Sequence, residues 1–453
     1  MIDLLDDPDV QNQPAALATS RLDDTRQQLL RQYCADDRPW VVAYSGGKDS
    51  TLVLQLVFEM LLDLGTTAHK PVYVLSSDTR VEAPNISAYV RTALQNIEHA
   101  AQARGLNVQV RLVNPEGKEG FWLNLIGKGY PPPSRWFRWC TNNMKIKPSR
   151  RAIESIARKY GSVILLLGSR IDESSIRGQG MQARTNNARG LNPHHEIPNA
   201  LVFAPIAQWS TDEVWEYLYS TPPAWGGSHD DMLSLYRQAN GGECPVVLDL
   251  STPSCGGSRF GCWTCTVVKQ DKSMEGFIAT GEEWMIPLND FRGRLIAYRD
   301  DPTMRAKVRR DGRLGEGPFN PNGRQIILRD LLLTEKAIAD KGLELISAEE
   351  LGQIQSEWTS EFDYTGRMAA DIATEFGREV IIMEPHTPLQ HEDDILETAA
   401  RDANIDAELL RNILHLVKYK YPSLEVWGAK TRLEKDIEEL IAKAARQAEQ
   451  AAP

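Results

Sequence analysis

The densest chemistry in the chain lies in six consecutive residues, Ser45, Gly46, Gly47, Lys48, Asp49 and Ser50. Paired glycines let a backbone approach phosphate oxygens, Lys48 adds a mobile cation, and the Ser45 and Ser50 hydroxyls can donate to the same oxygens. The bland alternative is a tight turn that uses glycine for positive φ, with the lysine on the surface. The spacing is neither G-x-x-x-x-G-K nor G-x-G-x-x-G. A second set is Cys244, Cys255, Cys262 and Cys265, separated by ten, six and two residues. Four thiolates can complete a tetrahedral zinc site or hold a [4Fe–4S] cluster, and spacing alone does not separate the two. Cys140 stands apart, in a stretch that also holds Arg135, Trp136, Phe137, Arg138, Trp139, Lys145 and Lys147. Neighbouring cations raise the thiolate fraction of a cysteine, which would suit a sulfur carrier. A structural thiol beside a phosphate-binding basic loop is the other reading. Cys34 reads as a packed helix residue.

These residues need elements to hold them. An apolar run at 40–44 precedes the six-residue motif, and apolar residues at helical spacing follow it from Thr51 to Leu64. The pattern is strand, glycine-rich turn, helix. Further short apolar or β-branched runs lie at 72–76, 108–113, 163–167 and 201–206, with a helix expected over 85–103 behind Pro84. Strands alternating with helices predict a doubly wound parallel α/β sheet. Ser210 and Glu213 have capping-box spacing and open a helix that closes this region near residue 222. From 222 to about 271 the chain is rich in Gly, Pro and Cys and has little periodicity. Helical spacing returns at 392–416 and 432–445.

The chain of 453 residues has a net charge of −11, which on its own argues against a polyanionic partner. Resolved along the sequence, residues 131–190 hold twelve Lys and Arg against three acids, whereas 331–453 hold thirteen basic and 25 acidic residues. The local excess of +9 exceeds what one nucleotide requires, and its interleaved aromatics suit nucleic acid. ATP alone is the simpler client. No apolar run approaches the 18–20 residues of a membrane span, and the acidic N-terminus lacks a secretory pattern, so a cytoplasmic protein without membrane partners is expected.

The six-residue motif resembles the PP-loop of ATP pyrophosphatases, enzymes that split ATP between its α and β phosphates. Ser77-Asp78-Thr79, the stretch from Gly168 and Arg170 to Glu173 and on to Arg177, and Ala204 to Trp209 resemble the branch that contains phosphoadenylyl-sulfate reductases. With the cysteine-rich insert, the chain is similar to the DndC family, the PP-loop component of bacterial DNA phosphorothioation systems, over roughly residues 35–330. The resemblance implies ATP and Mg²⁺ at residues 45–50, with Lys48 and Asp49 catalytic and Asp78, Gly168, Arg170 and Glu173 around the nucleotide. Asp78 suits ribose or Mg²⁺, but equally a turn cap; for Arg177 a surface salt bridge is the alternative. It also implies DNA held by Arg135, Arg138, Lys145, Lys147 and Arg177, and a [4Fe–4S] cluster on Cys244, Cys255, Cys262 and Cys265. Partners would be a cysteine desulfurase as sulfur donor and the ATPase and DNA-binding proteins of such a system. The expected organisation is an N-terminal helical arm (1–30), a PP-loop domain (31–222), a cluster-binding segment (223–290), a basic linker (291–330) and an acidic helical domain (331–453). Sulfonucleotide reduction, tRNA thiolation and a non-enzymatic nucleotide-sensing scaffold are the competing readings.

Overall fold

The computed structural model describes residues 8–171, 190–239, 261–310, 313–363, 365–381, 396–398, 400–402, 405–417 and 429–451. Two compact units result, one of residues 1–121 with 133–293 and the other of 122–132 with 294–453.

The first unit is built on a sheet of β1 (Trp40–Ala43), β2 (Val72–Ser77), β3 (Val108–Val113), β4 (Val163–Leu166), β5 (Asn192–Pro193) and β6 (Ala200–Phe203), in the order β3-β2-β1-β4-β6-β5. Strands β3, β2, β1, β4 and β6 run parallel, with Val41 opposite Tyr73 on one side and Leu165 on the other. The purely parallel expectation needs one correction. β5 pairs antiparallel with β6, Asn192 opposite Val202. Two residues, one a proline, carry no alternation to read, and proline is tolerated there because the strand is an edge.

β1 is buried on both faces, as a central parallel strand requires, and reads as an unbroken apolar run for that reason. Helix α2 (Lys48–Leu64) follows it and buries Leu52, Val53, Leu56 and Val57. Helix α3 (Pro84–Ala103) follows β2, its first turn set by Pro84. Helix α4 (Lys147–Tyr160) packs Ile153, Ile156 and Ala157 onto the face made by Val41, Tyr73, Leu75, Val163 and Leu165. Each such aliphatic side chain contributes about 1.5–3 kcal/mol by leaving water. Helix α5 (Thr211–Ser220) has the expected capping box, with the Ser210 hydroxyl accepting from the Glu213 amide and the Glu213 carboxylate accepting from the Ser210 amide.

An N-terminal helix, α1 (Pro8–Cys34), reaches beyond the expected arm. Trp209 Nε1 donates to Thr25 Oγ1 at 3.0 Å, and Arg26 and Tyr217 both donate to Glu59 of α2. Cys34 is exposed at its end, not packed. The stretch from Lys48 to Thr67 corrects a second expectation: at 20 residues and a mean hydropathy of 1.2 it is long and apolar enough to cross a membrane. Most of it, 61%, is buried within the unit, as the central helix of an α/β sheet would be.

Helices α6 (Asp230–Ala239) and α7 (Lys272–Ala279) flank the cysteine-rich segment, and α8 (Ile286–Asp300) follows. His229, just before α6, is 7% exposed with its ring edge-on to Trp225. Burial depresses its pKa to about 4, against a smaller upward pull from Asp230. The unfolded chain therefore takes up a proton that the native ring refuses, so stability falls as pH drops from about 6.5 towards 4. The loss is up to about 2 kcal/mol after allowing for partial solvation. In urea titrations His229→Gln should show a shallower fall in midpoint over that window. An unchanged slope would assign the acid sensitivity to other groups.

The second unit is helical: α9 (Pro321–Ala337), α10 (Ala348–Glu361), α11 (Met368–Glu375), α12 (Ala407–His415) and α13 (Ala429–Ala451). Residues 291–330, expected as a linker, include most of α8 and the first half of α9. The unit also takes in residues 122–132, inside the stretch expected to be continuous with the sheet. Trp122 Nε1 donates to Leu345 O, Trp358 Nε1 to Ile126 O, and Arg324, 2% exposed, grips Glu361 through two bonds.

Candidate active site

The strand order reverses between β1 and β4, so the crevice beyond their carboxyl ends is where an open α/β sheet accepts ligands. The 45–50 loop fills it. Gly46 has φ +77°, and a Cβ there would stand 2.6 Å from Val90 Cγ2, so a larger residue is excluded twice. The Ser50 hydroxyl donates to Gly47 O at 2.9 Å and accepts from the Ser45 amide at 3.2 Å, closing the loop on itself. Gly168, after β4, touches the loop from the far side: a Cβ would lie 2.8 Å from the Asp49 carbonyl carbon and 2.9 Å from the Ser50 nitrogen. Backbone faces backbone here, so only glycine fits.

Asp49 is the electrostatic centre. Lys48 Nζ donates to its Oδ2 at 2.9 Å and Arg170 Nε to its Oδ1 at 2.6 Å. The Asp49 and Arg170 side chains are each 3% exposed and that of Lys48 is 10%. Arg170 also donates to Trp209 O at 3.3 Å, which joins the loops after β1, β4 and β6 at one point. These are two cations poised over a helix N-terminus, held by one carboxylate. Such a set can exchange carboxylate for phosphate oxygens as ligand.

Asp78 caps its own turn. It is 6% exposed, its Oδ1 accepts from the Arg80 amide at 2.8 Å, and its Oδ2 accepts from Arg91 at 2.7 Å. Arg80 itself sits at φ 61°, a left-handed conformation that the cap supports. The same turn receives the cysteine pair. Glu82 bridges to Cys262, the Trp263 amide donates to Val81 O at 3.0 Å, and Thr79 Oγ1 lies 3.4 Å from Cys262 Sγ.

The C-x-x-C turn is closed by a Cys265 amide to Cys262 carbonyl bond of 3.0 Å. Arg292, 3% exposed on α8, donates to the carbonyls of Cys265, Val268 and Lys269 and fixes the chain leaving the turn. No sequence signal marked Arg292 or Tyr236, whose hydroxyl accepts from the Lys48 amide at 3.1 Å. Each is one polar residue within a helix, with no motif around it.

Cys140 joins this pair. A pocket of about 50 Å³ is lined by Cys140, Cys262, Cys265, Arg138, Lys145 and Thr264. Thr264 is fully buried, and its hydroxyl finds no partner. Cys140, Cys262 and Cys265 are not in disulfides. Cys140 lies in a helical turn (Trp139–Thr141) that widens into a π-helical turn (Asn142–Ile146) before α4, an irregularity common at functional sites.

Cys262 and Cys265 offer the close bite that thiolate coordination needs. Cys244 and Cys255 lie outside the described residues, as do Glu173 and Arg177, and among the described residues no group of three or more metal-ligating side chains occurs.

The basic segment divides. Arg170 is committed to Asp49, Arg150 binds Glu154 at 2.7 Å, and Arg151 binds Glu119 at 2.7 Å. Burial pushes the Glu119 carboxyl up, but the Arg151 bonds outweigh it and hold the group below its ordinary range. Two of the nine excess positive charges, those of Arg151 and Arg170, are therefore met by carboxylates from outside the segment, whereas the Arg150–Glu154 pair is already inside the count. Arg138 and Lys145 face the pocket, whereas Arg135 is exposed and Lys147, also exposed, donates to Asn143. The aromatics divide too. Trp136 is 96% and Phe137 44% exposed, but Trp139 is buried in a 5.3 Å stack on Phe121.

The pattern of the family described as phosphoadenosine phosphosulfate reductase domain matches residues 39–268. An uncharacterized protein of Methanocaldococcus jannaschii is 29% identical over 257 residues, 56% of this chain and 42% of that protein. The sulfate adenylyltransferase subunit 2 of Xylella fastidiosa is 25% identical over 317 residues, covering 63% of this chain and 94% of its own. The chain spans about two fifths of the length of the first curated relatives it matches. Among solved structures, the phosphoadenylyl-sulfate reductase from Candida auris in a phosphate complex is 16% identical, with a TM-score of 0.29 over 49% of this chain and 89% of that one. The U34-tRNA thiolase of Methanococcus maripaludis with its [4Fe-4S] cluster is 10% identical, with a TM-score of 0.29 over 62% and 80%. At these TM-scores neither structure supports an inference about activity.

Proposed function

Because the chain belongs to the phosphoadenosine phosphosulfate reductase domain family, with residues 39–268 matched, we propose that it is a PP-loop ATP pyrophosphatase of DNA sulfur modification, a member of the DndC group. The observation that carries this reading is the meeting of two chemistries in one unit. A phosphate loop with Lys48 and Arg170 closes the end of β1, and the turn after β2 holds Cys262 beside Cys265 and Cys140. A site that only bound nucleotide does not require a cysteine pair docked on the turn after the neighbouring strand.

ATP would seat its phosphates on the 45–50 loop, exchanging the Asp49 carboxylate for phosphate oxygens at Lys48 and Arg170. Mg²⁺ would be held by the triphosphate and Asp49, and supplies charge neutralisation. A non-bridging oxygen of a DNA phosphate attacks the α-phosphorus, the α–β bridging bond breaks and pyrophosphate leaves. Lys48 and the loop amides stabilise the charge that builds up. The terminal sulfur of a persulfide, supplied by a partner cysteine desulfurase and carried on Cys140, then attacks the activated phosphorus, and AMP leaves. A second thiol then attacks Cys140 Sγ, which leaves the phosphorothioate on DNA and a disulfide on Cys140, and a cellular dithiol reductant returns that disulfide to thiols. Cys262 and Cys265, with Cys244 and Cys255, would hold a [4Fe–4S] cluster, which supplies electrons when bound. The remaining proteins of such a system, an ATPase and a DNA-binding subunit, would bring the duplex.

Incubation with α-labelled ATP and a cysteine desulfurase with cysteine as persulfide source, with and without DNA, tests the reading. Labelled AMP and pyrophosphate that rise with DNA are expected. A second reading, adenylyl chemistry on sulfate or reduction of a sulfonucleotide, is favoured by the family description and by the sulfate adenylyltransferase subunit 2 relatives. Adenylyl sulfate formed from labelled sulfate, or sulfite released from a sulfonucleotide, without AMP formation on DNA, would establish it instead.

Trp136 and Phe137 beside Arg135 suit stacking on unpaired bases next to a backbone-binding cation. Trp136→Ala should weaken single-stranded oligonucleotide binding by about 5- to 150-fold, the equivalent of roughly 1–3 kcal/mol per stacked base. ATP binding without DNA should be unaffected. Fluorescence anisotropy reads the binding, and equal affinities would remove this loop from the DNA surface.

A further inference from the structure

An N–H group in the first turn of a helix has no intrahelical acceptor, and at a phosphate loop that donor is what an incoming anion uses. In this protein the Lys48 amide is already occupied. Tyr236 Oη accepts from it at 3.1 Å, from a residue that is 8% exposed and held edge-on against Trp215 at 4.8 Å. The hydroxyl stands where a phosphate oxygen would stand.

Tyr236 belongs to α6, which packs closely on α7. A Cβ on Gly276 of α7 would lie 2.2 Å from Gln238 O, so the two backbones touch two residues from the tyrosine. The start of α7 is capped by Asp271, whose carboxylate accepts from the Met274 amide at 3.1 Å and feels the charge of Arg292. Arg292 in turn holds the carbonyls of Cys265, Val268 and Lys269. A path thus runs from the phosphate-loop amide to the C-x-x-C turn, through packed backbone between α6 and α7 and then through the charge interaction of Asp271 with Arg292.

We propose that Tyr236 is a positioning residue displaced by nucleotide, and that its displacement shifts α6 and α7 and so signals occupancy of the phosphate loop to the Cys262–Cys265 turn. The proposal rests on the reading that ATP phosphates seat on residues 45–50. Its consequence is ordering: sulfur chemistry at the thiols would respond to the loaded nucleotide and not precede it.

Hydrogen–deuterium exchange on the full chain, with and without Mg²⁺ and the non-hydrolysable α,β-methylene analogue of ATP, tests it. In the wild type the analogue should speed exchange in peptides covering 230–239 and alter it in 261–279. Unchanged exchange in both, with the analogue bound, overturns the proposal without any variant. Tyr236→Phe should bind the analogue about two- to tenfold more tightly, because the competing acceptor, worth roughly one hydrogen bond, is gone. It should also lose the nucleotide-dependent change in 261–279. Equal or weaker binding, or an undiminished change, would show that the hydroxyl merely props the loop. If the wild type binds no analogue at all, the proposed function fails and this inference fails with it.

Discussion

Lys48→Ala should lower kcat for AMP formation by about 10²- to 10³-fold, the loss typical when one preorganised donor to a developing charge is removed. The fold should survive the change. Asp49 keeps its 2.6 Å bond to Arg170 when the lysine is gone, so no buried charge is left alone. Stability within about 1 kcal/mol of the wild type is the expected companion result, read from urea midpoints. A variant that kept full AMP formation would remove Lys48 from catalysis and turn the protein towards a nucleotide-sensing role. A large loss of stability would show that the lysine mainly holds the loop together.

The reverse pattern is expected at Asp49. Removing its carboxylate leaves Lys48 and Arg170 facing one another in a site where the aspartate and the arginine are each 3% exposed. Breaking a buried ion pair by deleting one partner costs about 3–5 kcal/mol, because the remaining charge is stranded away from water. Asp49→Ala should fall in that range. In a Lys48→Ala background the same substitution should cost less, since only Arg170 is then stranded; that difference is the coupling that a double-mutant cycle measures. Additive effects would mean that water reaches the pair and that the site is less enclosed than its geometry indicates. High phosphate should rescue part of the loss in Asp49→Ala if the carboxylate stands where anions bind.

These two variants separate roles that adjacent residues in one motif tend to merge. Asp49 holds Lys48 and Arg170 together, and in the proposed mechanism Lys48 then acts on the bound phosphates. Arg170 serves both, and its backbone partner at Trp209 explains why the loop after β6 belongs to the site although it offers no charge of its own.

The local elements were legible because they depend on neighbours in sequence. An apolar run before Ser45 and helical spacing after Thr51 define strand, loop and helix without reference to anything distant. The capping box at Ser210 and the start of α3 at Pro84 are local in the same way. The glycine pair at 46–47 between a strand and a helix was legible as a loop in the same local way.

What sits beside what was decided by tertiary structure. Asp49 meets Arg170 across 121 positions because the strand order makes β1 and β4 neighbours. Cys140 lines the same pocket as Cys262 and Cys265, and the segment after the C-x-x-C turn is tied to the one before Cys140 by Thr266 Oγ1 donating to Pro133 O at 2.6 Å. Composition showed twelve cations in 131–190, but not that Arg150, Arg151 and Arg170 are paired with carboxylates. Three tryptophans and phenylalanines in a row looked alike, yet Trp136 is in solvent and Trp139 is in a stack. Residue type and spacing specify which chemistry a loop can offer. Burial and partner choice depend on which loops the sheet brings to the same end, and that information is distributed over the whole chain.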